Sequence, residues 1–334
     1  MKILITGAAG FLGSHLADAL LAQGHEVTGV DNMEGGYLDN VPKDVDFHEA
    51  DCNNLEAMKL LCRDIDIVYH LASSAHEGLS IFSPHHYTKN TFGSSMSMIS
   101  ATLSNKVKRF VLCSSAARYG AIETPFTEDM LPKPQDPYGI AKYASDLALI
   151  ECATTHGMEY SIAVPHNIIG TRQKYDDPYR NAISIFTNLM LQGRNPTIYG
   201  DGSQKRCFSF VSDIVNPLVL MGTLPEANGQ IINLGPDTGE VTIKEVVDML
   251  AEIIGFKGEI EYVPDRPREV KDVLCSADKS RRLLGYEAKK DLREGLSEIV
   301  DWIRERGTKS FDYHLPVELP DSPLFPVTWR EKRF

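Results

Sequence analysis

Lys2-Ile3-Leu4-Ile5-Thr6-Gly7-Ala8-Ala9-Gly10-Phe11-Leu12-Gly13 opens the chain and decides its fold. A short apolar run with branched side chains has the length and character of a buried parallel strand. Three glycines follow, and a helical pattern then runs through His15 and Leu20. Gly7 can make the tight turn out of the strand. Gly10 lets the backbone approach a pyrophosphate, whose charge then rests at the N-terminus of the next helix. Gly13, lacking a side chain, lets that helix pack closely. The spacing is G-x-x-G-x-x-G, not the G-x-G-x-x-G of the ordinary dinucleotide fingerprint. A second strand, Glu26 to Val30, ends in Asp31, at about the distance where that fingerprint places an acid for the ribose. The stretch therefore predicts nucleotide binding at a strand-turn-helix.

The order of the chain extends this. After Lys2–Thr6 and Glu26–Val30, strand candidates are Asp46–Glu49, Ile67–His70, Arg109–Cys113 and Tyr160–Val164, with helical patterns at 11–22, 54–63, 86–104 and 137–156. Such alternation predicts an α/β fold: a doubly wound parallel sheet covered by helices on both faces, joined by right-handed crossovers. A ligand then belongs at the carboxyl ends of the strands. Beyond residue 165 prolines such as Pro178, Pro196 and Pro217 punctuate shorter elements. We expect three parts: a nucleotide-binding domain over 1–165, a smaller α/β substrate-binding portion over 166–307, and an extended C-terminal arm on the surface over 308–334.

Bulk properties narrow the function. The 334 residues carry a formal charge of −12, which argues against nucleic acid or an anionic membrane as partner. Hydrophobic content of 43% and charged content of 24% read as an ordinary soluble protein. No apolar stretch approaches the roughly 18 residues needed to span a bilayer, and no signal-peptide layout precedes the first strand. Cys52, Cys62, Cys113, Cys152, Cys207 and Cys275 are scattered without a C-x-x-C pair, which fits reduced thiols and a cytoplasmic location. His76, His85 and His86 lack further ligands at metal spacing, so no metal site is predicted.

The chemistry gathers around Asp136-Pro137-Tyr138-Gly139-Ile140-Ala141-Lys142. Pro137 suits the first turn of a helix, and Tyr138 and Lys142 then lie one turn apart on one face. A phenol is a poor base at its ordinary pKa of about 10. A nearby ammonium and an oxidised nicotinamide would both favour the phenolate. The strand Arg109–Cys113 runs into Ser114-Ser115-Ala116-Ala117-Arg118-Tyr119-Gly120, at the same sheet edge. A serine hydroxyl there can donate and accept, holding a sugar hydroxyl near Tyr138. Alone, each piece is common: Tyr-x-x-x-Lys occurs on many helix surfaces, and small residues end many strands.

Together with Asp31-Asn32, His70-Leu71-Ala72 and Asn90, these motifs resemble the extended short-chain dehydrogenase/reductase family, and within it the nucleotide-sugar epimerase/dehydratase branch. The similarity continues through His166-Asn167-Ile168-Ile169-Gly170 and Ile198-Tyr199-Gly200-Asp201-Gly202-x-Gln204-x-Arg206, and reaches Asp265-Arg266-Pro267-x-Glu269-Val270. The resemblance implies a Rossmann-type sheet and bound NAD. Gly7, Gly10 and Gly13 would cradle its pyrophosphate, Asp31 its adenosine ribose, and Asp51 its adenine. Phe11, Leu12, Asn32, Cys52, Leu71, Ala72 and Asn90 would complete the cofactor contacts. Tyr138 would be the base, Lys142 would bind the nicotinamide ribose and tune Tyr138, and Ser115 would be the hydroxyl of the triad, with Ser114 beside it also a substrate contact. Asn167, Arg206 and Arg266 would hold the sugar diphosphate, since guanidinium forks match phosphate oxygens. The family also implies a homodimer through the helices at 86–104 and 137–156.

The branch shares a first step, oxidation of the sugar at C4. Its dehydratases usually carry Asp-Glu just after the triad hydroxyl; Ala116 and Ala117 stand there and have no proton to move, which argues against dehydration. The expected activity is a 4-epimerase acting on a UDP-linked hexose through a transient 4-keto sugar. A uronate epimerase or decarboxylase, for which Arg118, Arg172, Lys174 or Arg180 would supply charge, and a 4-keto-sugar reductase are the alternatives. Val164, Thr171, Asp146 and Cys207 depart from the family pattern, and Cys207 is expected as a small residue of the pocket wall.

Overall fold

A computed structural model describes residues 1–267 and 272–334, so Glu269 and Val270 lie outside the described residues. In chain order the main elements are β1 (Lys2–Thr6), α1 (Phe11–Ala22), β2 (Glu26–Asp31), β3 (Asp46–Glu49), α2 (Leu55–Leu61), β4 (Ile67–His70), α3 (Ser94–Ser104), β5 (Arg109–Cys113), α4 (Pro137–His156), β6 (Glu159–Pro165), α5 (Ala182–Leu191), α6 (Val211–Thr223), β7 (Gln230–Leu234), α7 (Ile243–Ile254) and α8 (Leu292–Arg306). The first six strands stand within a residue of where the sequence places them.

The seven strands form one parallel sheet in the order β3-β2-β1-β4-β5-β6-β7. This is the doubly wound Rossmann-type arrangement. The chain builds outward from β1 through β2 to β3, then returns to place β4 on the other flank of β1. The crevice at that reversal, outside the carboxyl ends of the strands, is where such sheets bind ligands. Alternation along β1 splits the core. Ile3 and Ile5 pack with Leu16 and Leu20 of α1 and Leu218 of α6, whereas Leu4 packs with Met58, Met98 and Leu149 on the opposite face. Among the described residues no helix is long and apolar enough to cross a membrane.

Three features depart from expectation. First, the seventh strand and α6 come from beyond residue 165, so a boundary there leaves two elements of the sheet layer on its far side. β7 pairs with β6 from Gln230 with Ser161 to Leu234 with Pro165, and α6 covers the face that α1 also covers. The substrate-side portion is therefore an insertion in the last crossover plus the later chain, built on its own core of Ile183, Phe186, Val246, Leu250, Leu296 and Ile299. Second, the helical pattern at 86–104 is interrupted: Pro84–Thr88 and α3 flank a π-helical turn at Lys89–Gly93. Such turns insert one residue without ending the helix and recur at functional sites. Asn90 sits in it.

Third, the C-terminal arm does more than lie on the surface. Leu315, Phe325 and Trp329 are 4%, 6% and 4% exposed, and they join Leu79, Phe82, Tyr87 and Tyr179 in an apolar cluster of their own. Leu315, Phe325 and Trp329 are what dock this segment.

Candidate active site

One cavity of about 510 Å³ opens at the sheet reversal, and the cofactor candidates, Ser114, Ser115, Tyr138, Lys142, Asn167, Arg206 and Arg266 all line it. At its floor Gly7 adopts φ +73° and donates its N–H to the Val30 carbonyl at 2.8 Å, turning the chain out of β1. Gly10 caps α1, and a Cβ on Gly13 would overlap the Gly7 carbonyl oxygen. The turn and the helix N-terminus thus close on each other with no room for a side chain, leaving backbone N–H groups toward the cavity. Residues of this kind fit a pyrophosphate.

Asp31, at the end of β2, accepts from the N–H of Ala9 at 3.0 Å and of Met33 at 2.8 Å. Burial raises its pKa, and these backbone donors oppose the rise. Asp51 accepts from the backbone and side chain of Asn53 at 2.8 and 2.9 Å, and Asn53 donates to the Asn90 amide oxygen at 3.3 Å. The Cys52 thiol is pushed up to about 12 by burial, so it stays protonated. Thr6 ties the next wall together: its hydroxyl accepts from Leu71 N and Ala72 N, both at 3.1 Å, and meets His70 Nδ1 at 2.7 Å.

Catalytic candidates arrive on α4. Asp136 accepts from Gly139 N at 2.9 Å and caps the helix, Pro137 fills its first turn, and Gly157 ends it at φ +72°. Tyr138 and Lys142, four residues apart, share the face turned to the cavity and are 7% and 5% exposed. Lys142 Nζ stands 5.7 Å from the Tyr138 ring centre and donates to the Cys113 carbonyl at 2.7 Å. Burial lowers the lysine pKa and raises that of Tyr138, while the Ser115 hydroxyl beside it works to bring Tyr138 down. Among the protein groups alone burial outweighs this help, so the expected phenolate counts on an oxidised nicotinamide as well as on the ammonium.

The two serines part company. Ser115 faces Tyr138, whose pKa it works to lower, and accepts from Ala117 N at 3.2 Å. Ser114 donates to Asp146 at 2.9 Å, and Asp146 pairs with Arg118 at 3.0 Å in a buried cluster. Burial pushes Asp146 up to about 6 against the charge of Arg118. Arg118 is thereby engaged within the core. Arg172 pairs with Asp18 at 2.6 Å and Lys174 with Asp176 at 3.0 Å, so of the four basic residues considered for a substrate carboxylate only Arg180 lines the cavity.

On the far wall Asn167 donates to the Cys207 carbonyl at 3.2 Å, and the Arg266 guanidinium lies 4.8 Å over the Tyr199 ring. Arg206 and Arg266 also border a smaller cavity of about 180 Å³ that reaches Ser115, Ala116 and Ala117. Cys207 is not in that wall. Arg206 and Phe208 face the cavity, and the intervening thiol turns the other way to the Thr238 carbonyl at 3.6 Å. Strand-like alternation explains the reversal.

Sequence reasoning missed a buried dyad at the cavity edge. His76 Nε2 donates to Asp177 at 2.8 Å, and Arg180 joins the same carboxylate at 3.4 Å while donating to the Gly35 carbonyl at 3.1 Å. These contacts tie the loop after β4 to the substrate-side portion. The only sequence signal was the pair Asp176-Asp177 close to Arg180, which has no meaning until the fold brings His76 to it.

Two other buried histidines set a pH dependence. Burial, with the charge of Lys142, depresses His70 from 6.5 to about 3, and burial depresses His166 to about 4 despite its bond to the Pro236 carbonyl. The unfolded chain binds these protons first, so stability is intact above pH 6.5 and falls as pH drops toward those values. Each ring contributes about 1.4 kcal/mol per pH unit in that window. Thermal midpoints at about pH 7 and about pH 5 should show a smaller drop for His70→Asn than for the native chain; an equal drop would contradict this.

A glycine-cradled nucleotide site at the switch point of a parallel sheet, with tyrosine, lysine and serine at its mouth, defines an NAD-dependent enzyme of the short-chain dehydrogenase/reductase type. Residues 3–235 match the NAD dependent epimerase/dehydratase family, and the chain belongs to that family. It is 31% identical over 316 residues to the UDP-glucose 4-epimerase of Mycolicibacterium smegmatis, an alignment covering 92% of this chain and 99% of that one. Its fold is similar to the UDP-glucose 4-epimerase of Thermotoga maritima solved with UDP-glucose, at TM-score 0.87 and 31% identity over 92% of this chain and 99% of that one. It is also similar to the UDP-glucuronic acid 4-epimerase of Bacillus cereus solved with UDP-glucuronic acid and NAD, at TM-score 0.85 and 29% identity, covering 92% of this chain and 100% of that one.

Proposed function

We propose that the protein is a UDP-hexose 4-epimerase that inverts C4 of a neutral sugar through a transient 4-keto form. The observation that carries this is the composition of the cavity mouth. Ser115, Tyr138 and Lys142 stand together beside the glycine turn, and Ala116 and Ala117 occupy the positions where elimination would need proton donors. NAD, when bound, supplies the two-electron acceptor and donor at C4.

Each residue has a part. Tyr138 takes the proton of the 4-hydroxyl and later returns one to the same oxygen. Ser115 holds that oxygen and stabilises the phenolate by hydrogen bonding. Lys142 would bind the nicotinamide ribose and keep positive charge near Tyr138. Asp31 accepts from the adenosine ribose hydroxyls and repels an added 2′-phosphate, which favours NAD over NADP. Asn167, Arg206 and Arg266 hold the diphosphate. A neutral hexose is favoured over a uronate because Arg118, Arg172 and Lys174 are neutralised by Asp146, Asp18 and Asp176.

A panel of UDP-glucose, UDP-galactose, their N-acetyl forms and UDP-glucuronate, followed by NMR without added cofactor, tests the assignment. Interconversion of a neutral C4 pair is expected. Turnover of UDP-glucuronate alone, release of carbon dioxide from it, or activity only with added reduced cofactor would replace the proposal with the uronate epimerase, the decarboxylase or the reductase.

A homodimer is part of the proposal. Ile140 and Leu147, two turns apart on α4, are 53% and 48% exposed. Two such residues on one helix face suit burial against a second copy. The double variant Ile140→Glu, Leu147→Glu should run as a monomer in light scattering while keeping its fold; a native chain that is itself monomeric would refute this part.

A further inference from the structure

We infer that the C-terminal arm is a component of the nucleotide site, with Thr328 and Trp329 acting as positioning residues for Tyr199 and Arg266. The inference rests on the proposed binding of a sugar diphosphate at Arg266.

The arm is fastened to both sides of the cavity. It leaves the substrate side where Asn188 exchanges hydrogen bonds with Lys309, at 2.9 and 3.2 Å, and where Asp312 N donates to the Asp176 carbonyl at 2.8 Å. It then crosses to the loop after β4. Ser83 donates to the Pro316 carbonyl at 2.7 Å, Leu319 N donates to the Phe82 carbonyl at 2.9 Å, and Glu318 accepts from His85 N and His86 N at 3.0 and 2.8 Å. Finally it returns to the substrate side, where Arg194 donates to the Arg333 carbonyl at 2.8 Å. The chain ends as a strap over the seam between the two halves.

At that seam it contributes to the cavity itself, since Trp329 and Phe334 line it. The Trp329 ring meets Tyr179 edge-on at 5.1 Å, Phe82 at 6.4 Å and Tyr199 at 6.5 Å between centres. Thr328 is fully buried and its hydroxyl is hydrogen-bonded to the Tyr199 hydroxyl. Tyr199 in turn carries the Arg266 guanidinium on its face, 4.8 Å from the ring centre. From the other direction, Trp329 and Arg266 both stand 3.5 Å from where a Gly78 Cβ would lie. The indole thus meets the phenol edge-on while the guanidinium lies over the phenol's face, and the three form one cluster whose outer layer is the arm. A guanidinium bonded to a phosphate is sensitive to its orientation, because its donors form a rigid fork.

The arm's contribution should appear in nucleotide affinity and not in the chemical step. UDP alone, titrated calorimetrically into NAD-loaded protein, is the probe. Thr328→Val keeps the shape and removes the hydroxyl; Thr328→Ser keeps the hydroxyl. We expect Thr328→Val to weaken UDP binding by about fivefold and Trp329→Ala by about tenfold or more, in line with loss of an anchoring contact. Thr328→Ser should bind as the native chain does. In Thr328→Val and Trp329→Ala, KM for the sugar nucleotide should rise while kcat changes by less than about twofold, the pattern of lost uniform binding. Should Trp329→Ala fail to fold, the two Thr328 variants decide. Native UDP affinity in Thr328→Val, or equal weakening in Thr328→Ser, overturns the inference. Failure of the native chain to bind UDP would instead overturn the proposed function on which the inference rests.

Discussion

Tyr138→Phe is expected to lower turnover of the sugar nucleotide by about 10²- to 10⁴-fold, the range general acid–base catalysis supplies, while UDP and NAD remain bound. The phenol ring, carried on α4, is buried, so removing one oxygen leaves the packing intact. What disappears, on the proposed mechanism, is the group that takes the proton from C4–OH in concert with oxidation. Ser115 cannot replace it, because an alcohol has no accessible anionic form at neutral pH, and Lys142 is drawn to the Cys113 carbonyl or the ribose. The loss should fall on kcat and on kcat/KM alike, which marks an interaction made in the transition state. A variant retaining native turnover would remove Tyr138 from the mechanism. Burial opposes ionisation of the tyrosine, so the chemical step should accelerate with rising pH until the phenolate is fully formed.

Gly13→Val carries the second large effect, on cofactor and stability together. Even a Cβ there would overlap the Gly7 carbonyl, a backbone atom that cannot rotate away. Relief requires shifting the turn or lifting α1 from the sheet, at a cost of about 1–3 kcal/mol for overpacking alone. Either movement displaces the N–H groups proposed to meet the pyrophosphate. The purified variant should hold little NAD, read as nucleotide released on denaturation per chain, and should melt at lower temperature. Gly24→Ala is a useful contrast. Its φ is +78° but its Cβ would meet nothing, so it should lower the melting temperature without loss of NAD.

Local signals made the first half of the fold legible. In β1 to α1, an apolar run, a glycine turn and a helix start follow without a gap. In α4, Asp136, Pro137 and Gly157 mark both ends. The candidate residues named from sequence line one cavity for the same reason: parallel strands deliver their carboxyl ends to one edge. What was not legible depends on partners distant in sequence. β7 has an apolar run between Gly229 and Gly235 like any short strand, and only its pairing with β6 makes it part of the main sheet. The π turn at Asn90 adds one residue to a helical pattern without erasing its period. Arg118 and Arg172 read as free charge near a site until Asp146 and Asp18 are seen to neutralise them. Ser114 and Ser115 are chemically alike, and only the strand's alternation sends one to Asp146 and the other to Tyr138. Trp329 acquires a role only when the arm docks.

The central claim is inversion at C4 by transient oxidation, with hydrogen returned to the same carbon inside a closed site. UDP-glucose labelled with deuterium at C4, incubated with purified protein and no added NAD, tests it most directly. The account predicts UDP-galactose that keeps its deuterium at C4. Loss of the label to solvent, or product only when reduced cofactor is added, would contradict it.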